Sequence, residues 1–223
     1  MSDASKMTEE QARVLAAAEE YAQAELRHEG SGHDWRHIER VRNLARTIAR
    51  EEGANLYICE LAALLHDLAD AKVAGDEATG QRRVRDWLVA HEVEPSVTER
   101  VMKIMATMSF AGGNRAPMTT LEGCVVQDAD RLDAIGAVGV ARTFAYGGSR
   151  GRLLYDPDIP PQQHTSAEAY HASDAPTINH FYEKLLLLKD RMNTAYARRL
   201  AEGRHAYMEA FLAEFYAEWG GER

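Results

Sequence analysis

The sequence predicts an all-α protein, a single-domain helical bundle of 223 residues. Three observations predict it. Apolar residues recur at three- and four-residue spacing along most of the chain. No segment shows the apolar–polar alternation of a half-buried strand. No Asn-Gly or Asp-Gly dipeptide is present to turn a hairpin.

Taken in order, Thr8 and Gln11 read as a capping box before a first helix whose face carries Val14, Leu15, Ala18, Tyr21 and Ala22. A second helix starts near Asp34 or Trp35, follows the stripe Ile38, Val41, Ala45 and Ile48, and stops before Gly53. Asn55 is a good N-cap for a third, LYICELAALLHDLAD, apolar nearly all round and so expected at the centre. A fourth covers about residues 77–91, and Pro95 suits the first turn of a fifth carrying Val97, Val101, Ile104, Met105 and Met108. The spacing predicts a sixth helix from about Thr120 to Tyr146, then two more over about 177–201 and 203–219. The domain reads as a core over about 8–146, a loop-rich insertion over about 147–176, and C-terminal helices over about 177–219. The insertion holds four of the six prolines and is either a functional lid or a long surface excursion.

Twenty-six Lys and Arg against 35 Asp and Glu leave a net charge of −9. Such a chain has no broad attraction for duplex DNA or for an acidic membrane. No apolar run approaches the roughly 20 residues of a membrane span, and the polar N-terminus lacks a signal-peptide core. With only Cys59 and Cys124, both in apolar stretches, the expectation is buried thiols and a cytoplasmic protein. A phosphorylated substrate would have its charge met locally, by a metal or by a few placed cations.

Four segments could carry chemistry. His66 and Asp67 stand at the end of the most apolar helix, where a polar pair is expensive to bury unless paired or coordinated. His37 precedes Ile38 at the start of an apolar stripe, so it faces the core or its edge; a hydrogen-bonded core histidine is the ordinary alternative. His33 lies just before that helix, placed to cap it, to contact substrate, or to be solvated. In QDADRLDAIG, Asp130 and Asp133 share a helical face, and their repulsion needs a cation such as Arg131 or a metal to offset it. Three separate apolar helices thus bring His or Asp inward, as helical bundles do when they build metal sites. Two imidazoles and two carboxylates suit six-coordinate manganese, iron, cobalt or nickel better than magnesium.

The order His37, His66-Asp67, Asp130 resembles the HD-domain phosphohydrolase superfamily, an all-helical fold named for its His-Asp doublet. The blocks GHDWRHIERV, LLHDLAD, QDADRLDAIGA, RTFAYGG, HFYEKLLLLKDRMNT and RHAYMEAFLAEFYAEW are similar to a bacterial stand-alone HD hydrolase group, and they span residues from about 30 to 219. The resemblance implies one divalent metal, manganese favoured, held by His37, His66, Asp67 and Asp130. The Ala-Asp-Arg context points to Asp130 over Asp128 and Asp133. Dinuclear relatives carry further histidines, whereas His91, His164 and His171 stand in other contexts.

The implied activity is hydrolysis of a small phosphorylated substrate, a nucleotide first of all, with triphosphate cut to monophosphate and pyrophosphate as the specific expectation. The alternatives are a phosphomonoesterase such as a 5'-nucleotidase, and a metal- or nucleotide-binding module without turnover. Asp67, Asp70 or Asp133 would orient or deprotonate the attacking water. Lys184 and Arg191, seven residues apart and so on one helical face, and Arg115 in the glycine-rich turn SFAGGNR would meet the phosphates. A homodimer is compatible with all of these readings.

Overall fold

The computed structural model describes residues 7–27, 34–69, 75–108, 117–162 and 174–223. Among them the regular structure is entirely helical: α1 Glu9–Leu26, α2 Trp35–Glu52, α3 Leu56–Leu65, α4 Glu77–Ala90, α5 Pro95–Met108, α6 Leu121–Asp133, α7 Gly136–Ser149, α8 Asn179–Glu183 and α9 Ala195–Trp219. Short 3-10 turns occupy Asp67–Ala69, Leu185–Leu187 and Lys189–Arg191. No helix among the described residues is long and apolar enough to cross a membrane. The chain divides into two compact units, Met1–Ala129 and Asp130–Arg223, with the boundary inside α6.

In the first unit, local sequence sets each helix start. The Thr8 hydroxyl accepts from the Gln11 amide, and the Gln11 side chain accepts from the Thr8 amide, both at 3.1 Å. Asp34 caps α2 and Asn55 caps α3, each accepting the amide three residues on. Gly53 ends α2 at φ +71°, a conformation that costs glycine nothing. Helix α3 is the centre: residues Tyr57 to Leu65 are all buried, against α1, α2 and α5. One charge lies among them. Glu60 on α3 is met by Arg42 and Arg46 of α2 at 2.7–3.1 Å, and Arg42 reaches on to Glu19 of α1 at 2.7 Å.

Helix α3 departs from its expected length. It ends at Leu65, and the doublet lies in the turn that follows, with the Ala69 amide donating to the His66 carbonyl at 3.3 Å. Helix α4 packs onto that turn through Gly80. A Cβ at Gly80 would lie 2.6 Å from the Ala69 carbonyl oxygen, so only glycine permits this approach.

The second unit departs further from the periodicity. The single sixth helix expected from Thr120 to Tyr146 is two, α6 and α7, broken at Ala134–Ile135. Gly136 at φ +77° makes the break possible, and a Cβ there would press on the Arg204 side chain at 3.0 Å. The expected pair over 177–201 and 203–219 is instead short α8, two 3-10 turns, and one long α9 that runs through Gly203. Helix α9 packs on α7, and Phe144, Phe181, Phe211 and Phe215 form a cluster with ring centroids 5.8–6.4 Å apart. Arg131 donates to the Arg191 carbonyl, and Arg198 donates to those of Met192 and Asn193, so two guanidiniums hold three successive carbonyls. The described part of the 147–176 stretch is fastened: the Leu153 and Leu154 carbonyls accept from the Thr177 and Ile178 amides at 2.8 and 3.0 Å.

Candidate metal centre

Two helix ends and a turn of the first unit build the site. Asp34, by capping α2, fixes His37 three residues into the helix, and the stripe that begins at Ile38 carries the imidazole inward. The end of α3 supplies His66 and Asp67. Neighbours on a helix point about 100° apart, yet here the two side chains turn toward each other and His66 Nε2 meets Asp67 at 3.2 Å. All three side chains are buried, at 1%, 7% and 4% exposure for His37, His66 and Asp67.

The Asp67 carboxylate bridges the imidazoles. One oxygen lies 3.4 Å from His37 Nε2 and the other 3.2 Å from His66 Nε2. The rings meet edge to face, with centroids 5.4 Å apart. His66 Nδ1 stands 2.8 Å from the Ala63 carbonyl oxygen. A carbonyl only accepts, so the ring proton sits on Nδ1 and the Nε2 lone pair faces Asp67 and His37.

One ligand atom from each of the three residues lies within 4.8 Å of the others. Bonds of about 2.1 Å from one ion place adjacent octahedral donors about 3 Å apart. Each imidazole nitrogen has its own carboxylate oxygen at 3.2 or 3.4 Å, close to that donor spacing, and one atom from each residue falls within reach of a shared ion. That donor set fits a divalent metal.

Asp130 is half-buried on α6, the first residue of the second unit. Asp128 and Asp133 are buried. Arg142 meets the Asp133 carboxylate at 2.5 Å, a partner the sequence reading missed because α7 had been read as a continuation of α6. Lys184 sits between α8 and the next turn at φ −143°, and Arg191 lies in a 3-10 turn. The one-face argument for that pair therefore fails, since no single helix carries both. His91 is engaged in its own unit: its ring stacks on Trp87 at 3.9 Å and its Nδ1 lies 2.8 Å from the Trp87 carbonyl. Asp70, His33, Arg115, His164 and His171 lie outside the described residues. Cys59 is buried, and burial pushes its thiol well above the ordinary range, whereas Cys124 is only half-buried; neither forms a disulfide among the described residues.

The sequence profile of the HD domain matches residues 34–135, which include His37, His66, Asp67 and Asp130. A solved HD-superfamily hydrolase from Bacillus thuringiensis is 45% identical, with 94% of this chain and 98% of that one covered and a TM-score of 0.75. The uncharacterized protein YpgQ of Bacillus subtilis is 43% identical over 196 residues, which cover 87% of this chain and 88% of that one. This chain belongs to the HD-domain superfamily. A YpgQ crystal structure in complex with ADP is similar to this HD-domain chain over 92% of its length and 97% of that one, at 38% identity and a TM-score of 0.73. A Lactobacillus plantarum structure is similar with a TM-score of 0.84 at 42% identity, covering 97% of this chain and 100% of that one. HD domains bind divalent metals, and His37, His66 and Asp67 form a buried group that could hold one.

Proposed function

We propose that this protein is a divalent-metal-dependent phosphohydrolase acting on a nucleotide, cutting a triphosphate to monophosphate and pyrophosphate, with one manganese ion as the favoured cofactor. The buried convergence of His37, His66 and Asp67 carries this reading. The ADP complex of the YpgQ relative supports a nucleotide as the ligand. A divalent ion supplies Lewis acidity toward a non-bridging phosphate oxygen and lowers the pKa of water near it.

The residues of the chain do the rest. In the neutral ring, the Ala63 carbonyl holds the proton on His66 Nδ1 and leaves the Nε2 lone pair for a metal. Asp67 contributes one carboxylate oxygen to the centre and orients the attacking water with its charge. Asp130 is the fourth ligand in this reading, on its Ala-Asp-Arg context. The Asp133 carboxylate is engaged by Arg142, so we assign the role of proton acceptor to Asp67 and Asp70 before Asp133. Lys184 and Arg191, with Arg115 and His33, would meet the phosphate charges that a chain of net charge −9 does not otherwise attract.

A panel of nucleotides and phosphomonoesters with manganese, magnesium, cobalt and nickel, with products identified by mass, tests the reading. Pyrophosphate release from a triphosphate supports it. Inorganic phosphate from monoesters alone replaces it with a phosphomonoesterase. The ADP complex also favours a second reading, a nucleotide-binding module without turnover. Saturable nucleotide binding with no product under any of the four metals would establish that one instead.

A further inference from the structure

In the second unit, the Pro-rich stretch after α7 and the helices α8 and α9 wall a pocket of about 300 Å³. Its lining includes Tyr155, Tyr182, Tyr216, Asn179, Pro160 and Asp156. The size is at the lower end of small-molecule sites. Tyr155 and Tyr216 stand at 70° to one another with centroids 5.2 Å apart, so two aromatic walls meet near a right angle. The Asn179 amide donates to the Ile159 carbonyl at 2.9 Å.

Among the described residues Asp156 is the lining's one charged residue, and no Lys, Arg or His shares it. One of its oxygens accepts the Asp158 amide at 2.9 Å. The other has no partner among the described residues. Asp158, exposed, and Glu183, which accepts the Gln162 amide at 3.0 Å, keep the neighbourhood anionic.

We propose that this pocket binds a small quaternary ammonium compound of the choline type. Such a cation donates no hydrogen bond and needs no oxygen cage. It is held by aromatic rings and a nearby carboxylate, which is what these walls offer. A metal ion or a primary ammonium would have to exchange its hydration shell for several oxygens, and Asp156 is the lining's one carboxylate among the described residues. An anion would meet Asp156 with no compensating charge.

Calorimetry and saturation-transfer NMR on the full-length protein, titrated with choline, tetramethylammonium and the neutral carbon analogue dimethylbutanol, test the proposal. The expected result is saturable choline binding, with the neutral analogue about tenfold weaker. Asp156→Asn keeps the turn-closing oxygen and removes the charge, and should weaken choline about five- to tenfold with unchanged circular dichroism. Tyr182 is 40% exposed, so Tyr182→Leu offers a second variant that does not disturb the core and should weaken both cations. Equal binding of choline and its neutral analogue, full affinity in Asp156→Asn, or no saturation by about 50 mM would each overturn the proposal. The readout involves neither metal nor turnover, so it stands or falls apart from the hydrolase reading.

Discussion

Glu60 shows how one carboxylate can organise three helices. It is 2% exposed, and burial alone would push its carboxyl up; hydrogen bonds from Arg46 and Arg42 outweigh that and hold it below its ordinary value of 4.5. Glu60→Ala leaves two guanidiniums facing a buried gap and should cost about 3–5 kcal/mol in urea unfolding. The charged form is the one the fold favours. The contribution is therefore complete above about pH 4.5 and is lost as the pH falls through the lowered folded value. Wild type should show an acid-destabilisation limb below that pH which is shallower in Glu60→Gln. At the candidate metal centre, His66→Ala and Asp67→Ala each remove a donor and should lower metal affinity at least tenfold. Elemental analysis after dialysis reads the metal, and circular dichroism should show helix content unchanged. Full metal occupancy in both variants would remove His66 and Asp67 from the centre.

At the scale of elements, the sequence announced what capping and amphipathic faces dictate and hid what breaks a helix. Thr8, Asp34, Asn55, Gly53 and Pro95 marked the ends of α1, α2, α3 and α5 because each satisfies or interrupts the backbone locally. Two features escaped because tertiary contacts decide them. The α6–α7 break turns on one left-handed glycine inside an unbroken apolar pattern, and the α8–α9 region trades helical hydrogen bonds for those from Arg131 and Arg198. His37 and the doublet were legible as polar residues on apolar faces. The Ala63 carbonyl was not, because a backbone atom carries no sequence signature. Gly80 was overlooked too, since a glycine within a helix gives no hint of what packs against it. In the open, Gly80→Ala would favour helix by about 1 kcal/mol. Here the new methyl collides with the Ala69 backbone, and the net cost should be about 1–3 kcal/mol. Because that turn carries Asp67, the variant should also lose metal affinity, which a titration on the folded variant would detect; unchanged affinity would show that the turn does not depend on α4.

For the molecule as a whole, metal and stability should be linked. An ion bound only by the folded state adds about 2.7 kcal/mol at a concentration one hundred times its Kd, which for a chain of this size is a rise in Tm of roughly 5–10 °C. Scanning calorimetry with manganese and then with excess chelator should show that shift in the transition of the first unit, and Asp67→Ala should abolish it. The turn that seats the doublet sets a further condition. Two donors from consecutive residues, joined by a single peptide link, stay neighbours when one helix moves against another. Calcium, with bonds of about 2.3–2.6 Å and a preference for oxygen, would demand a wider grip. Calcium should therefore compete poorly with manganese at equal concentration, so the selectivity of the centre begins in the covalent chain itself.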